Sequence, residues 1–517
     1  MTDLHFYHVG HYAYRHQLLP HARHRLSLKT HLRSLIKRSL LSVAVALSLS
    51  ATSQSFAARN DLPDLGTAAV NTLSMDREMQ YGDIYMRVIR GQAPVLYDPL
   101  LAQYISELGN NLVAHASDVH TPFYFFMLQN DEINAFAFFG GHVAVHTGLF
   151  LYADSESEMA SVLAHEISHV TQRHLARSME AQSRSAPLTL AGVLGAILLT
   201  VAAPQAGMAA LMGTQALSTQ SRINFTRQNE QEADRIGMRV MVASGYDPEA
   251  AASFFGKLAA KYRYATKMPP MLLTHPIPES RVSEARDRAN QYPHMHIAPN
   301  LNFQLAKARI QVRFSSYSAQ TALAMFEDQL KNNSYAIKEA ALYGQALALF
   351  QLNKHDKAEK IIDELRKKDP DNLFYLDTKT DLLTAKKDYQ QAIDLLSSQR
   401  KYRPTSLVIN TNLANVYLEN KQADKAIPIL EQMMYDDKNN LLPIQMLNDA
   451  YKQLGDKAQQ FYTNAQLHAL RADYRGAIDQ LNFSYREATG RPLLIARIEA
   501  QLRQFRDAEE QMKRFQN

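Results

Sequence analysis

Residues 164–170 read Ala-His-Glu-Ile-Ser-His-Val, and this stretch decides how the first half of the 517-residue chain is interpreted. His165 and His169 are four residues apart, so on a helix both imidazoles project from one face and can bind one metal ion. Glu166 then lies beside that ion, where its carboxylate can take a proton from water. The spacing predicts a catalytic zinc site on a helix that buries its apolar positions, which are Val162, Leu163, Ile167 and Val170.

A catalytic zinc site needs a third protein ligand and one open position. Gln172 and Leu175 stand where a metzincin has glycine and histidine, which excludes that class. Residues 229–234, Asn-Glu-Gln-Glu-Ala-Asp, supply carboxylates on a second predicted helix. Glu230 and Asp234 lie one turn apart on one face of this helix, so they are the candidates for a role at the metal.

Two polar residues close to these motifs are predicted to face away from the metal. Glu232 points to the opposite side of its helix from Glu230 and is expected to be an exposed charge. His174 follows His169 by five residues, which on a continuous helix turns it off the metal-binding face. We therefore expect His174 to be solvated.

Two residues further along are candidates for control or for transition-state stabilisation. His275 lies in Thr-His-Pro-Ile-Pro at 274–278, where prolines restrict the backbone, and a neutral imidazole there could be a fourth ligand that displaces water and holds the enzyme off. Arg281 is a candidate oxyanion stabiliser, a role that His275 could also fill. The plainer alternatives are a surface ion pair for Arg281 and a backbone-bonded loop histidine for His275.

The pattern around these motifs predicts an α+β domain, mostly helical with a small sheet. Residues 121–129 and 135–150 are rich in aromatic and β-branched residues and read as strands, of which 134–139 could pair with substrate backbone. Residues 186–217 are the most apolar part after the leader, and favour a packed helical hairpin over an apolar surface that faces substrate or makes peripheral contact with a membrane. This domain is expected to span residues 58–300.

From residue 301 to 517 the sequence is helical and repetitive. Ala324, Ala358, Ala392 and Ala426 recur every 34 residues, the period of tetratricopeptide repeats, where a small residue fits the crossing of two helices. Beyond residue 440 the alanine spacing fails, which suggests an extra helix there. A solenoid of this kind is expected to fold on its own and to offer a concave surface to extended segments or partner proteins.

Residues 1–57 resemble a signal peptide with an atypically long, His-rich start. Arg33, Lys37 and Arg38 precede the apolar run 39–51, and small residues allow cleavage after Ala57. The alternative is a permanent anchor, for which the run is short. We expect the mature chain to be exported to the periplasm.

Composition excludes several classes of protein. The formal net charge is +5, whereas residues 1–57 alone hold seven basic residues and one acid, so the remainder is close to neutral and nucleic acid is not an expected partner. The absence of cysteine excludes disulfide scaffolds, Cys-ligated metals and a Cys nucleophile.

The HExxH motif at 165–169, followed by ExxAD at 230–234, resembles the gluzincin metallopeptidases of the HtpX and CAAX-prenyl-peptidase type. The resemblance implies one Zn²⁺ per chain, held by His165, His169 and Glu230. It further implies Glu166 as catalytic acid/base and Asp234 as a proton donor or a residue that supports a ligand. The membrane spans of those relatives are missing from this sequence, which questions membrane embedding but not the chemistry.

With the repeats and the leader, the resemblance implies a periplasmic zinc endopeptidase that degrades misfolded or misassembled outer-membrane proteins. The repeats would recruit these clients or the outer-membrane protein assembly machinery. The alternative is a periplasmic chaperone or scaffold whose metal site rarely turns over.

Overall fold

The computed structural model of the protein describes residues 73–183, 219–263, 271–272, 275–276 and 279–516. These residues belong to one compact unit spanning residues 68–517. The predicted signal peptide with its cleavage site, and the apolar segment 186–217, lie outside the described residues. Within the described part, no helix has both the length and the apolarity required to cross a bilayer.

The first part of this unit is helical with one small sheet. Each of its two central helices begins at a capping side chain, since Asp98 accepts from the N–H of Leu101 and Ser155 accepts from the N–H of Glu158. The elements in chain order are α1 (Met75–Gln92), α2 (Pro99–Ala114), β1 (Tyr124–Leu128), β2 (Ala135–Phe138), β3 (His142–His146), α3 (Thr147–Tyr152), α4 (Glu156–Thr171), α5 (His174–Ser183), α6 (Thr219–Ala243), α7 (Glu249–Tyr262) and α8 (Glu279–Ala289).

The sheet has the strand order β1-β3-β2, so β2 is an edge strand. Strand β1 runs parallel to β3 and β2 runs antiparallel to it, with Ala135 opposite Val145. Gly141 links β2 to β3 with a φ of +75°, and a Cβ there would lie 1.9 Å from the carbonyl oxygen of Pro122. The predicted strand 135–150 is therefore two strands, and residues 147–152 form a helix.

Helix α4 lies at the centre of this part and carries the HExxH motif. It packs against α2, α6, α7 and β2, and its apolar residues Val162, Leu163 and Ile167 are buried. Gly237 of α6 approaches α4 so closely that a Cβ there would lie 3.1 Å from the backbone of Ala164 and His165. This close approach brings the polar face of α6 against the motif.

The second part consists of paired antiparallel helices. They are α9 (Leu301–Arg313), α10 (Ala319–Asn332), α11 (Lys338–Gln351), α12 (His355–Lys368), α13 (Leu373–Ala385), α14 (Tyr389–Tyr402), α15 (Leu407–Glu419), α16 (Ala423–Asp436), α17 (Leu441–Leu454), α18 (Lys457–Leu470), α19 (Tyr474–Glu487) and α20 (Pro492–Gln516). Ala358, Ala392 and Ala426 are fully buried, as the repeat requires, whereas Ala324 is exposed and Ala322 is a buried alanine of α10.

Backbone conformation follows the same 34-residue period as the alanines. In the helix pairs between residues 338 and 470, the turn within each pair contains one residue with positive φ, and these are Asn353, Lys387, Lys421 and Gly455. Helices α17 and α18 keep this spacing, but the position on α18 that corresponds to Ala426 is Gln460. The next repeat alanine, Ala477, is fully buried on α19, so two helices lie between it and the helix of Ala426 where a regular repeat has one, as the expected extra helix beyond residue 440 requires.

The two parts share a hydrophobic core across the predicted boundary at residue 300. The ring of Phe303 on α9 stacks on that of Phe150 on α3, with centroids 5.9 Å apart. The buried guanidinium of Arg309 donates to Asp98 at the start of α2 and to Asp377 on α13, at 2.7–2.8 Å. The first repeat helix is thus part of both halves.

Candidate metal centre

Three segments bring the candidate metal ligands together. Helix α4 supplies His165 and His169, α6 supplies Glu230, and the segment before α8 supplies His275. One ligand atom from each of these four side chains lies within 4.8 Å of all the others. The structure therefore joins residues that are up to 110 positions apart in sequence.

The separations within this cluster match those between ligands of a tetrahedral zinc ion, which at bond lengths of 2.0–2.1 Å lie about 3.3 Å apart. The Nε2 atom of His165 lies 3.0 Å from Nε2 of His169 and 3.3 Å from Nδ1 of His275. The Glu230 oxygens lie 3.4 Å from Nε2 of both His165 and His169, and 3.1 Å from Nδ1 of His275. Two imidazoles and one carboxylate form a donor set that zinc prefers, so the residues fit the ion.

The electrostatics of the cluster favour a positive charge at its centre. Burial opposes charge on His165, but its hydrogen bonds to Asp234 and Glu230 outweigh this and raise the pKa of His165 to about 10. Burial likewise opposes charge on Glu230, yet the adjacent histidines, His275 foremost, hold the pKa of Glu230 well below its usual range. The carboxylate is thus ionised and available as a ligand.

Asp234 and Arg281 support the cluster from behind. Oδ1 of Asp234 lies 3.0 Å from Nδ1 of His165, the ring nitrogen that faces away from the cluster. Arg281 donates through Nε and Nη2 to both oxygens of Asp234, at 2.7 and 2.8 Å, and through Nη1 to Glu230 at 2.9 Å. Each guanidinium nitrogen is therefore engaged, and Arg281 is only 3% exposed.

This arrangement bears on the alternatives proposed from the sequence. Arg281 is not a surface ion pair, and its contacts favour a positioning role over the oxyanion role. Asp234 contacts a candidate ligand histidine and an arginine, which favours the support of a ligand over proton donation as its role. His275 lies in the cluster, as its candidacy for a fourth ligand requires.

Glu166 lies beside the cluster and faces the sheet. It is 1% exposed, and burial raises the pKa of its carboxyl group. The N–H of Ala137 on the edge strand β2 donates to this carboxylate, and Nε2 of His275 lies 3.4 Å from Oε1. The candidate base thus stands between the metal cluster and the edge strand β2.

Two predictions about neighbouring polar residues are wrong. His174 is 3% exposed, and its Nδ1 atom lies 2.8 Å from Nδ1 of His169. Glu232 is not a free exposed charge, because its Oε2 atom accepts from His174 at 3.1 Å and from Arg177 at 2.9 Å. Helix α4 ends at Thr171 and α5 begins at His174, so the assumption of a continuous helix placed His174 on the wrong side.

Comparison with known proteins agrees with this description. The sequence profile of peptidase family M48 matches residues 99–289, and a tetratricopeptide repeat profile matches residues 383–448. The chain is 45% identical to the beta-barrel assembly-enhancing protease of Escherichia coli (strain K12), over 93% of this chain and 99% of that protein. It is 46% identical to the putative beta-barrel assembly-enhancing protease of Vibrio cholerae, over 81% of this chain and 88% of that protein.

A more distant relative is similar only in part. A mitochondrial metalloendopeptidase of Arabidopsis thaliana is 30% identical over 148 residues, which is 28% of each chain.

Proposed function

The chain belongs to the family of the beta-barrel assembly-enhancing proteases and contains an M48 peptidase domain followed by tetratricopeptide repeats, and from this premise we propose that it is a zinc endopeptidase of the periplasm. Its substrates would be misfolded or misassembled outer-membrane proteins. The observation that carries the zinc assignment is the convergence of His165, His169, Glu230 and His275 within 4.8 Å. The chemistry of these donors supports zinc over the hard cations, which take oxygen ligands.

In this proposal His165, His169 and Glu230 hold the ion. Bound zinc would polarise the scissile carbonyl and make water a stronger nucleophile near neutral pH. Glu166 takes a proton from the attacking water and transfers it to the amide nitrogen as the carbon–nitrogen bond breaks. Asp234 and Arg281 keep His165 and Glu230 in place.

An extended substrate would pair with strand β2. In the antiparallel ladder the N–H of His146 donates to the carbonyl of Asn134, so the backbone groups of residues 134, 136 and 138 face β3. Those of Ala135 and Ala137 then face the outer edge of the sheet, and the N–H of Ala137 donates to Glu166. A peptide added at this edge would lie beside the base and the metal ligands.

We further propose that His275 closes the site at rest. Its Nδ1 atom is within 3.3 Å of atoms of His165 and Glu230, which is the position of a fourth ligand. A fourth protein ligand leaves no place for water, so the resting site would be of the closed, structural type. Movement of this segment when a client binds would open it.

The test of the proposed function is Glu166→Gln, assayed on an unfolded substrate protein and by rescue of a deletion strain. Loss of the base should lower the rate of proteolysis by a factor of about 10² to 10⁴ while zinc stays bound. Full rescue of the deletion phenotype by Glu166→Gln would contradict the assignment as an enzyme and favour the chaperone or scaffold.

The closed resting site is tested by His275→Ala, which should raise basal proteolysis, including self-cleavage. Unchanged basal proteolysis would contradict the closed resting site.

A further inference from the structure

His174 has a defined chemical position behind the metal cluster. Its Nδ1 atom lies 2.8 Å from Nδ1 of His169, the ring nitrogen of that residue that faces away from the other candidate ligands. Its Nε2 atom lies 3.1 Å from Oε2 of Glu232, which Arg177 also contacts at 2.9 Å. A line of hydrogen bonds therefore leads from His169 to a carboxylate near the surface.

The protons in this line can be assigned once His169 is a ligand. A ligand imidazole bound through Nε2 carries its proton on Nδ1, and this N–H can donate only to an acceptor. Nδ1 of His174 is then the acceptor, so the His174 proton resides on Nε2 and is donated to Glu232.

The chain bends sharply to place His174 there. Arg173 joins α4 to α5 with a φ of +52°, a left-handed conformation that is unfavourable for a non-glycine residue. Its buried guanidinium donates to Glu78 at 2.6 and 3.0 Å and to the carbonyl oxygen of Leu73 at 2.6 Å, both on or before α1. These contacts hold the turn that directs His174 back towards His169.

We propose that His174, held by Glu232 and Arg177, is a positioning residue that fixes the tautomer and ring orientation of His169 and thereby raises the zinc affinity of the site. The inference rests on the proposed metal site and adds a supporting residue on the side opposite to Asp234. The two ligand histidines of α4 are then each backed by a carboxylate, His165 directly by Asp234 and His169 through His174 by Glu232. Partners of this kind typically contribute a factor of about 10 to 100 in metal affinity.

The experiment measures the zinc affinity of the purified full chain by competition with a chromogenic chelator. His174→Phe keeps the ring volume but removes both nitrogens, and should weaken zinc binding by about 10- to 100-fold. His174→Gln can still accept from His169 and donate to Glu232, so it should bind zinc more tightly than His174→Phe. His142→Phe is the matched control, because His142 is also buried and its Nδ1 atom contacts the carbonyl oxygen of Phe139 instead of a candidate ligand, so its substitution should leave the affinity unchanged.

Circular dichroism of the metal-free proteins checks that each variant is folded. If His174→Phe does not fold, Glu232→Gln decides the question, since its side chain is 26% exposed and its change removes only the charge at the end of the line. We expect about a tenfold loss of zinc affinity in Glu232→Gln.

The proposal would be overturned if folded His174→Phe bound zinc with an affinity within twofold of that of the unmodified chain. Where Glu232→Gln is the variant needed, the same result for it would overturn the proposal. Equal weakening in His174→Phe and His174→Gln would also overturn it, because hydrogen bonding would then not be the cause. Failure of the unmodified chain to bind zinc would overturn the metal site and this inference together. Unchanged zinc affinity in the variants would overturn this inference alone, so the two failures can be distinguished.

Discussion

The peptidase half and the repeat half are both mainly helical, but they use buried polar groups in different ways. In the helices from 338 to 470 the same turn recurs every 34 residues, and the helix crossings are filled by small apolar residues such as Ala392. In the peptidase half, one helix buries His165, Glu166 and His169 on a single face, and their partners come from α5, α6, α8 and the segment at His275. Regular spacing thus builds the scaffold, whereas the site depends on contacts between distant segments.

The contrast is least clear at α9, which is the first helix of the repeats and also part of the peptidase core. Arg309 is 2% exposed and bridges Asp98 and Asp377 from the two halves. Here a buried polar group serves the scaffold and not the site. Four substitutions test how far the two halves can be separated.

The largest effect on stability is expected for Arg309→Leu. Removing one partner of a buried ion pair leaves uncompensated carboxylates, which typically costs about 3–5 kcal/mol. Urea unfolding should therefore show a large loss for this variant, whereas Lys367→Ala, which breaks an exposed pair with Glu364, should be indistinguishable from the unmodified chain. A small loss in Arg309→Leu would mean that the halves are held together by apolar contacts alone.

The next effect concerns the site. Arg281→Gln should weaken zinc binding about 10- to 100-fold, because Asp234 and Glu230 lose the guanidinium that positions them. Arg286→Gln, on the exposed side of the same helix, is the control. If Arg281 instead stabilised the oxyanion, the variant would lose turnover with unchanged zinc affinity.

In the repeats, Ala392→Leu should destabilise the protein by about 1–3 kcal/mol, because the larger side chain overfills a closed helix crossing. Gln391→Leu adds a leucine at the neighbouring exposed position and should have little effect. Zinc content should be the same in both variants. Loss of zinc from folded Ala392→Leu would show that strain in the repeats reaches the metal centre.

The smallest effect is expected at the repeat turns. Gly455→Ala should cost about 1 kcal/mol, because a Cβ at this position meets no atom within 4 Å and the penalty comes only from the positive φ. Lys387 has the same left-handed conformation at the equivalent turn two repeats earlier. Lys387→Gly should therefore be more stable than Lys387→Ala by a similar amount. Thermal unfolding measures both, and no difference between the two Lys387 variants would contradict a strained turn.

The difference between the two halves also explains which features could be predicted from the sequence. Periodicity identified the repeats because each depends on neighbours at a fixed distance along the chain, and the change in alanine spacing beyond residue 440 indicated the extra helix there. Spacing identified His165 and His169 because both lie on one uninterrupted helix. Glu230 and Asp234 were found through a second motif whose helix also runs without a break.

His174 was assigned wrongly because a helix was assumed to continue through Arg173. A positive φ at an arginine has no local signal in the sequence, since the contacts that impose it come from Glu78 and Leu73, about 100 residues earlier. The bridge made by Arg309 was missed for the same reason, because its partners lie 211 and 68 positions away. Buried polar contacts over such distances require the folded structure.

Zinc content of the purified full chain tests the central claim most directly. After exhaustive dialysis, metal analysis should find close to one zinc per chain, because His165, His169 and Glu230 together form a single site. Glu230→Gln should lose most of this metal, whereas Glu279→Gln, whose side chain is 92% exposed on α8, should retain it. Equal zinc in the Glu230→Gln and Glu279→Gln variants would contradict the account.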